Sequence, residues 1–280
     1  SGTVLPDRVF LSYMPELLND SKTLSGVPVR AQLLGSDPAC MAENAANLAR
    51  LKPEGIDLNF GCPAKTVNRH GGGASMLQDP ESIAKLVAAV RKAVPAHLPV
   101  SAKMRMGFND KSLMRECALA MVENGACELV VHARTKVEGY RPPAYWELIP
   151  EIASVVSVPV VANGEIWNAA DAALCQQQAD CSDIMLGRGA LAMPNLAQSI
   201  RTGAAAMPWP QVLELLMRYS EFEISGDKGQ YYANRIKQWF SYLKLQYPQA
   251  ADLFQQLRLL RKSSDILATL NQALLHSQQA

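Results

Sequence analysis

Polar side chains recur at intervals through the first two hundred residues. They are Gln32, Asn59-Phe60-Gly61-Cys62, Lys103-Met104-Arg105, His132-Ala133-Arg134, Asn163-Gly164-Glu165 and Gly187-Arg188-Gly189. The set contains a thiol, an ammonium, an imidazole, carboxamides and guanidinium groups, which together can give a proton and neutralise a developing anion. Cys62 stands out by its setting. It ends the run Asp57-Leu58-Asn59-Phe60-Gly61 and precedes Pro63, Lys65-Thr66-Val67-Asn68 and the triplet Gly71-Gly72-Gly73. Cysteine side chains ordinarily titrate near ~8.5, so at neutral pH the thiol form has a proton to donate. Adjacent glycines permit positive φ and loop motion.

The elements that must position these groups alternate between short apolar runs and helical stretches. Strands are predicted at Val29–Leu34, Ile56–Phe60, Val100–Met104, Leu129–His132, Pro159–Ala162 and Ile184–Leu186, several of them near-continuously apolar as in parallel sheets. Helices are predicted at Pro38–Leu51, Pro80–Val94, Ser112–Glu123, Trp146–Val155 and Ala169–Gln178. Gly and Pro punctuate the strand starts, as in Leu98-Pro99 and Val158-Pro159. A repeating β-α unit implies parallel strands with right-handed crossovers. Each polar cluster then falls at the C-terminal end of a strand, where a (β/α)8 barrel carries its chemistry. Only six strands are visible, whereas such a barrel has eight. The first 28 residues, with Pro6, Pro15 and Pro28, do not read as the other two.

Composition excludes several classes. A chain of 280 residues that is 49% hydrophobic and 19% charged can build a core and is not a disordered chain. It contains no run approaching the ~20 apolar residues of a bilayer span and opens on no signal-peptide pattern, so no membrane role and a cytoplasmic location are expected. The six cysteines form no CxxC pair and the four histidines are scattered, which argues against a metal site and for reduced, mostly buried thiols. No GxGxxG follows a strand, so a Rossmann dinucleotide site is not supported.

Beyond Met207-Pro208-Trp209-Pro210 the pattern turns helical, at Val212–Glu223, Tyr231–Gln246, Ala250–Arg261 and Ser264–His276. This divides the chain into residues 1–200, the α/β part, and 208–280, a helical domain. Residues 201–280 hold nine Lys/Arg against six Asp/Glu within a chain of net charge +1. One helix interleaves Arg235, Lys237 and Lys244 with Tyr231, Tyr232, Trp239, Phe240 and Tyr242. Such interleaving suits RNA, but taken alone it fits better an amphipathic helix that buries its aromatics.

The segment DLNFGCPAKTVNRHGGGA, joined in order by VRAQLLG, SAKMRMGF, VVHARTK, VANGEIW and MLGRGAL, resembles the tRNA-dihydrouridine synthases. ANRIKQWFSYL is similar to the subfamily that modifies uridine 16. The resemblance implies a barrel followed by a helical domain, bound FMN, NADPH as reductant, tRNA as partner and a monomer. It implies Cys62 as the proton donor that completes reduction of the uracil C5–C6 bond. Gln32, Lys103 and His132 are implied at the flavin ring, and Asn163, Gly164, Glu165, Gly187 and Arg188 at its phosphate end. Asn59 and Arg105 are implied as the uracil and nearby RNA contacts, with Arg134, Lys136 and Arg141 holding phosphates around the entrance. Arg235, Lys237 and Gln238 would orient the tRNA body, which must present a flipped base. The family pattern begins with two strands, one carrying an Ala-Pro-Met-type motif, which this sequence does not show; a truncated sequence is the expectation. Two other readings stay open: a flavin-dependent reductase of a free pyrimidine or similar metabolite, and a tRNA-binding protein without catalysis.

Overall fold

The structure is a computed structural model, and it describes residues 3–222 and 231–279. Its contacts divide into two compact units, Ser1–Gly164 with Cys175–Met185 and Glu165–Leu174 with Leu186–Ala280. The sequence pattern puts the change of character at 200–208. Contacts instead assign the short helices just before it to the second unit, because they pack on the helices that follow.

The first unit is built on six parallel strands in sequential order: β1 Ala31–Leu33, β2 Ile56–Phe60, β3 Val100–Arg105, β4 Leu129–His132, β5 Val160–Asn163 and β6 Ile184–Met185. Register decides what each face carries. Leu58, Ala102 and Leu129 lie in line, as do Phe60, Met104 and Val131. These side chains are fully or almost fully buried. The other face runs polar through Gln32, Asp57 and Ser101, then Asn59 and Lys103, then Arg105, His132 and Asn163. One strand period thus separates packing residues from chemical ones. Among the described residues β1 and β6 each pair with a single neighbour.

Helices of this unit are α1 Asp7–Tyr13, α2 Pro38–Arg50, α3 Lys65–Arg69, α4 Pro80–Ala93, α5 Met114–Glu123 and α6 Ile149–Ala153; α7 Ala169–Ala179 contributes to both units. Their starts are written locally. Asp37 caps α2 by accepting from the Cys40 N–H, and Asp79 caps α4 by accepting from the Glu81 and Ser82 N–H groups. Pro38 and Pro80 occupy the first helical positions, where no N–H is missed. Met41, Ala45 and Leu48 of α2 pack on α4, which buries Ile83, Leu86, Val87 and Val90 at helical spacing.

The second unit holds α8 Arg188–Ala192, α9 Leu196–Thr202, α10 Trp209–Arg218, α11 Tyr231–Leu243, α12 Pro248–Leu257 and α13 Ser263–Gln279. Its core joins Trp209, Val212, Leu213 and Leu216 of α10 to Tyr232, Ile236, Phe240 and Leu243 of α11. Trp209 meets Phe240 edge-on at 6.1 Å, and the Tyr232 hydroxyl donates to the Leu216 carbonyl at 2.9 Å. The helix expected to run to Glu223 ends sooner, with Tyr219–Phe222 as a 3₁₀ turn, and Glu223 itself lies outside the described residues. Of the aromatics interleaved with the cations of this helix, Tyr232 and Phe240 are core residues, as the amphipathic reading expects. No helix among the described residues is long and apolar enough to cross a membrane.

Candidate active site

In the first unit the sequence-predicted residues converge on the polar face and on the loops that leave its C-terminal edge. Cys62 stands two residues beyond β2 and is half-buried. Its carbonyl accepts from Asn68 Nδ2 at 2.9 Å and from the Ala74 N–H at 3.1 Å, so the following loop folds back on it. The other cysteines are differently placed. Cys117 and Cys175 are buried, and burial pushes both thiols up to about 12. Cys127 is exposed, and Cys40 and Cys181 are half-buried, so the expectation of mostly buried thiols holds for only two of the six. Among the described residues no group of His, Cys, Asp or Glu could hold a metal ion.

Beside Cys62 a hydrogen-bonded relay crosses β1, β2 and β3. Ser101 Oγ donates to Asp57 Oδ1 at 2.8 Å, and Gln32 Nε2 donates to Asp57 Oδ2 at 2.5 Å. Asn59 Nδ2 donates to Gln32 Oε1 at 2.8 Å, and the Gly61 N–H donates to Asn59 Oδ1 at 2.9 Å. Asp57 is 9% exposed; burial raises its carboxyl, against the bonds from Gln32 and Ser101 that lower it. Sequence reading missed this residue and Ser101. The available signal was a carboxylate inside an otherwise apolar strand, which is retained only with partners.

Lys103, one strand over from Asn59, donates from Nζ to Asn163 Oδ1 at 3.1 Å. Burial, with the nearby Arg105 charge, pushes its ammonium down to about 8, while Asp57 opposes the shift. Asn163 donates in turn to the Met185 carbonyl at 2.8 Å. His132 is 6% exposed, between Arg105 and Asn163 in register, with the Tyr140 ring 5.9 Å away. Gly164 turns at φ +122°, and a Cβ there would come within 3.1 Å of the imidazole.

Three of the arginine and lysine side chains named from the sequence bond backbone carbonyls. Arg105, expected at the uracil and nearby RNA, is 2% exposed and donates to three carbonyls: Nε to Gly61 at 2.9 Å, and one terminal nitrogen to Thr135 and Gly139, both at 2.9 Å. It ties the strand end before Cys62 to the loop after β4. Arg134, expected at the entrance, is fully buried and donates from Nε to the Pro143 carbonyl at 2.9 Å. Lys237 is half-buried and donates to the Leu260 carbonyl. Lys136 lies 4.7 Å from the Phe108 ring, and Arg141 is exposed, reaching the Val137 carbonyl at 3.5 Å. Glu138, absent from the sequence reading, organises this loop by accepting from the Thr135 N–H and from Lys111, each at 2.6 Å.

The second unit carries its own cluster. Glu165 accepts from Trp167 Nε1 at 2.9 Å and from Arg188 at 3.3 Å, and the Arg188 guanidinium lies 5.1 Å over the Trp167 ring. A Cβ at Gly189 would collide with the Ile166 carbonyl at 2.0 Å, which lets this segment close on Glu165–Trp167. Gly187 is exposed and opens α8. On α11, Arg235 is exposed, donates to Gln238 Oε1 at 2.9 Å and lies 5.0 Å over the Tyr231 ring.

A parallel α/β sheet with a thiol, a cation, an imidazole and carboxamides gathered along one polar face defines a strand-end catalytic architecture. The match to known proteins is extensive. The dihydrouridine synthase family model covers residues 3–279, and the chain belongs to that family. It is 54% identical over 99% of its length to a tRNA-dihydrouridine(16) synthase of Shewanella oneidensis, covering 88% of that protein. It is 52% identical to the protein of that name from Vibrio cholerae, over 96% of this chain and 83% of that one. The protein of that name in Escherichia coli is 49% identical over 94% of this chain and 84% of that one. With the family shown, the fold is an α/β barrel type followed by a helical region.

Proposed function

We propose that this protein reduces uridine to 5,6-dihydrouridine in tRNA, at position 16, with bound FMN, with NADPH as the electron source and with Cys62 as proton donor. The observation that supports it most is the half-buried Cys62 thiol just beyond β2, the strand whose Asn59 joins the buried relay and pairs in register with Lys103. Family membership and the names carried by the relatives agree with the substrate. Tyr231 to Leu243 forms one helix with Arg235 exposed, as an RNA-facing element of a helical tRNA-binding domain at 208–280 would need.

The donor set suits a flavin. Gln32 and Asn163 offer carboxamides, His132 an imidazole and Lys103 a cation, which is what a planar ring with imide and ring-nitrogen edges takes up. A reduced flavin bound there would supply hydride to one carbon of the uracil double bond. Lys103, with its pKa near 8, is charged at neutral pH and stabilises negative charge placed beside it. Cys62 delivers a proton to the neighbouring carbon from the opposite face, so the two hydrogens come from two sources. Asn59 holds the base. Arg105 fixes the Gly61 carbonyl and so the approach of the Cys62 segment. Arg188, oriented by Glu165 and Trp167, is assigned to anion binding with Gly187. Lys136 and Arg141 are assigned to tRNA phosphates.

The test is mass-spectrometric mapping of tRNA after incubation with the protein, FMN and NADPH. The reading requires dihydrouridine at position 16. Unchanged uridine there, with flavin bound and NADPH consumed, would contradict it.

A further inference from the structure

We propose that Lys65 and Arg69, on the short helix just past Cys62, bind the RNA phosphate next to the base being reduced. This rests on the proposed reduction of uridine in tRNA with Cys62 as proton donor. Helix α3 spans Lys65–Arg69, so the two cations stand one turn apart, at the i and i+4 positions that share a helix face. Both are exposed, and neither makes a hydrogen bond or ion pair among the described residues. On α4 the same spacing carries opposite charges, and Lys85 meets Glu81 at 2.8 Å. Like charges so spaced repel each other and weaken a helix. No Asp or Glu occurs in the sequence between Asp57 and Asp79 to offset them. A shared anion does.

The turn that carries this pair is fastened to the thiol segment. Between the two cations, Asn68 donates from Nδ2 to the Cys62 carbonyl at 2.9 Å and to the Ala64 carbonyl at 2.8 Å. The far end is held as well, because Ser36 Oγ donates to the His70 carbonyl at 3.0 Å. The main chain under Lys65 and Arg69 is therefore fixed relative to Cys62, while their side chains reach into solvent. Ammonium and guanidinium groups both take phosphate oxygens. A base that meets the Cys62 thiol is joined through one sugar to its own phosphate, which must accompany it to this edge of the sheet. Once the nucleotide has left its stack, that phosphate is where a cation pair beside the thiol can hold it. Such contacts position a substrate and read no sequence. The phosphates of NADPH share this chemistry, and the test separates the two sources.

The test measures tRNA binding to the FMN-loaded full chain across a range of salt concentrations. Lys65→Gln and Arg69→Gln should each weaken binding about threefold or more near ~100 mM salt. Each should also lower the slope of log affinity against log salt by about 0.7–0.9, as one lost phosphate contact does. Lys65→Arg and Arg69→Lys keep the charge and should keep the slope. Lys92→Gln is the control. Lys92 is exposed in the last turn of α4, which leads to the start of β3 and so to the sheet edge opposite Cys62, and its loss should leave the slope unchanged. In turnover the Gln variants should raise the KM for tRNA and not the KM for NADPH. Melting temperatures at or above wild type are expected, since a repulsion is relieved. If a Gln variant melts lower, the charge-keeping variants decide, because a folding role for the side chains themselves would cost them affinity too. An unchanged slope in the double Gln variant, an equal loss in Lys92→Gln, or a raised KM for NADPH with tRNA affinity intact would overturn the inference. Binding is read without turnover, so a wild-type protein that binds tRNA yet forms no dihydrouridine would overturn the functional reading alone.

Discussion

A Cβ at position 73 would fall 2.8 Å from the carbonyl oxygen of Cys62 and 3.0 Å from its Cβ. Gly73 turns at φ +61° against the strand end and is buried, as is Gly72. Close approach to Cys62 accounts for this glycine better than the loop motion that three consecutive glycines suggest. Gly73→Ala should therefore cost about 1–3 kcal/mol in chemical denaturation from the left-handed backbone and the contact. It should lower uridine reduction through the displaced Cys62 segment. Wild-type stability in that variant would show that the segment yields without cost.

Lys103 gives a pH signature. Its ammonium titrates near 8 when folded and near 10.5 when exposed, so between those values the unfolded chain binds more protons. Stability should accordingly rise with pH across that window from this group, and the penalty for a charged, buried Lys103 is fully present below pH 8. Thermal melts of wild type and Lys103→Met from pH 7 to 10.5 should converge as pH rises, with the variant favoured at the low end. Reduction of tRNA by the wild-type protein should decline above about pH 8 as the cation is lost. A constant melting difference across the range would contradict the assignment.

Arg105 is a structural clamp between the β2 end and the loop after β4. Removing its side chain as Arg105→Ala leaves the Gly61, Thr135 and Gly139 carbonyls without this donor, at a cost of about 3–5 kcal/mol if the buried groups stay unpaired. Arg105→Lys should recover only part of that, because one ammonium cannot span the same fork. Urea unfolding of the three proteins measures both, and equal stability of wild type and Arg105→Ala would dismiss the clamp.

On α11 the two cations separate. Arg235 is exposed, whereas Lys237 is bonded to Leu260. Arg235→Glu should weaken tRNA binding several-fold and flatten its salt dependence, as loss of a phosphate contact does. Lys237→Met should leave tRNA affinity near wild type and lower the melting temperature. Filter binding at several salt concentrations distinguishes the two, and an equal loss in both variants would contradict the separation.

How much of this was legible beforehand follows from what each residue type reveals. The strands showed because β-branched and aliphatic runs sit between Gly and Pro punctuation, as Pro99 before β3 and Pro159 before β5 do. Their ends moved by a residue or two: β3 runs on to Arg105, and β1 is only Ala31–Leu33. Cys62, Lys103, His132 and Asn163 were legible because each polar group stands at or just past the end of an apolar run. Asp57 was not, since it sits inside the strand and its value depends on partners 25 and 44 residues away in sequence. The carbonyl bonds of Arg105 and Arg134 were not legible, because the type of a cation does not say which acceptors receive its hydrogens. The short α3 and the 3₁₀ turn Gly73–Gln78 lack the length for a periodic signal.

The most direct test of the central claim replaces one sulfur. Cys62→Ala, loaded with FMN and supplied with NADPH and unmodified tRNA, should retain flavin absorbance and the first electron transfer from NADPH. Mapping by mass spectrometry should then find almost no dihydrouridine at position 16. Dihydrouridine forming there at the wild-type rate would contradict the assignment of Cys62 as proton donor.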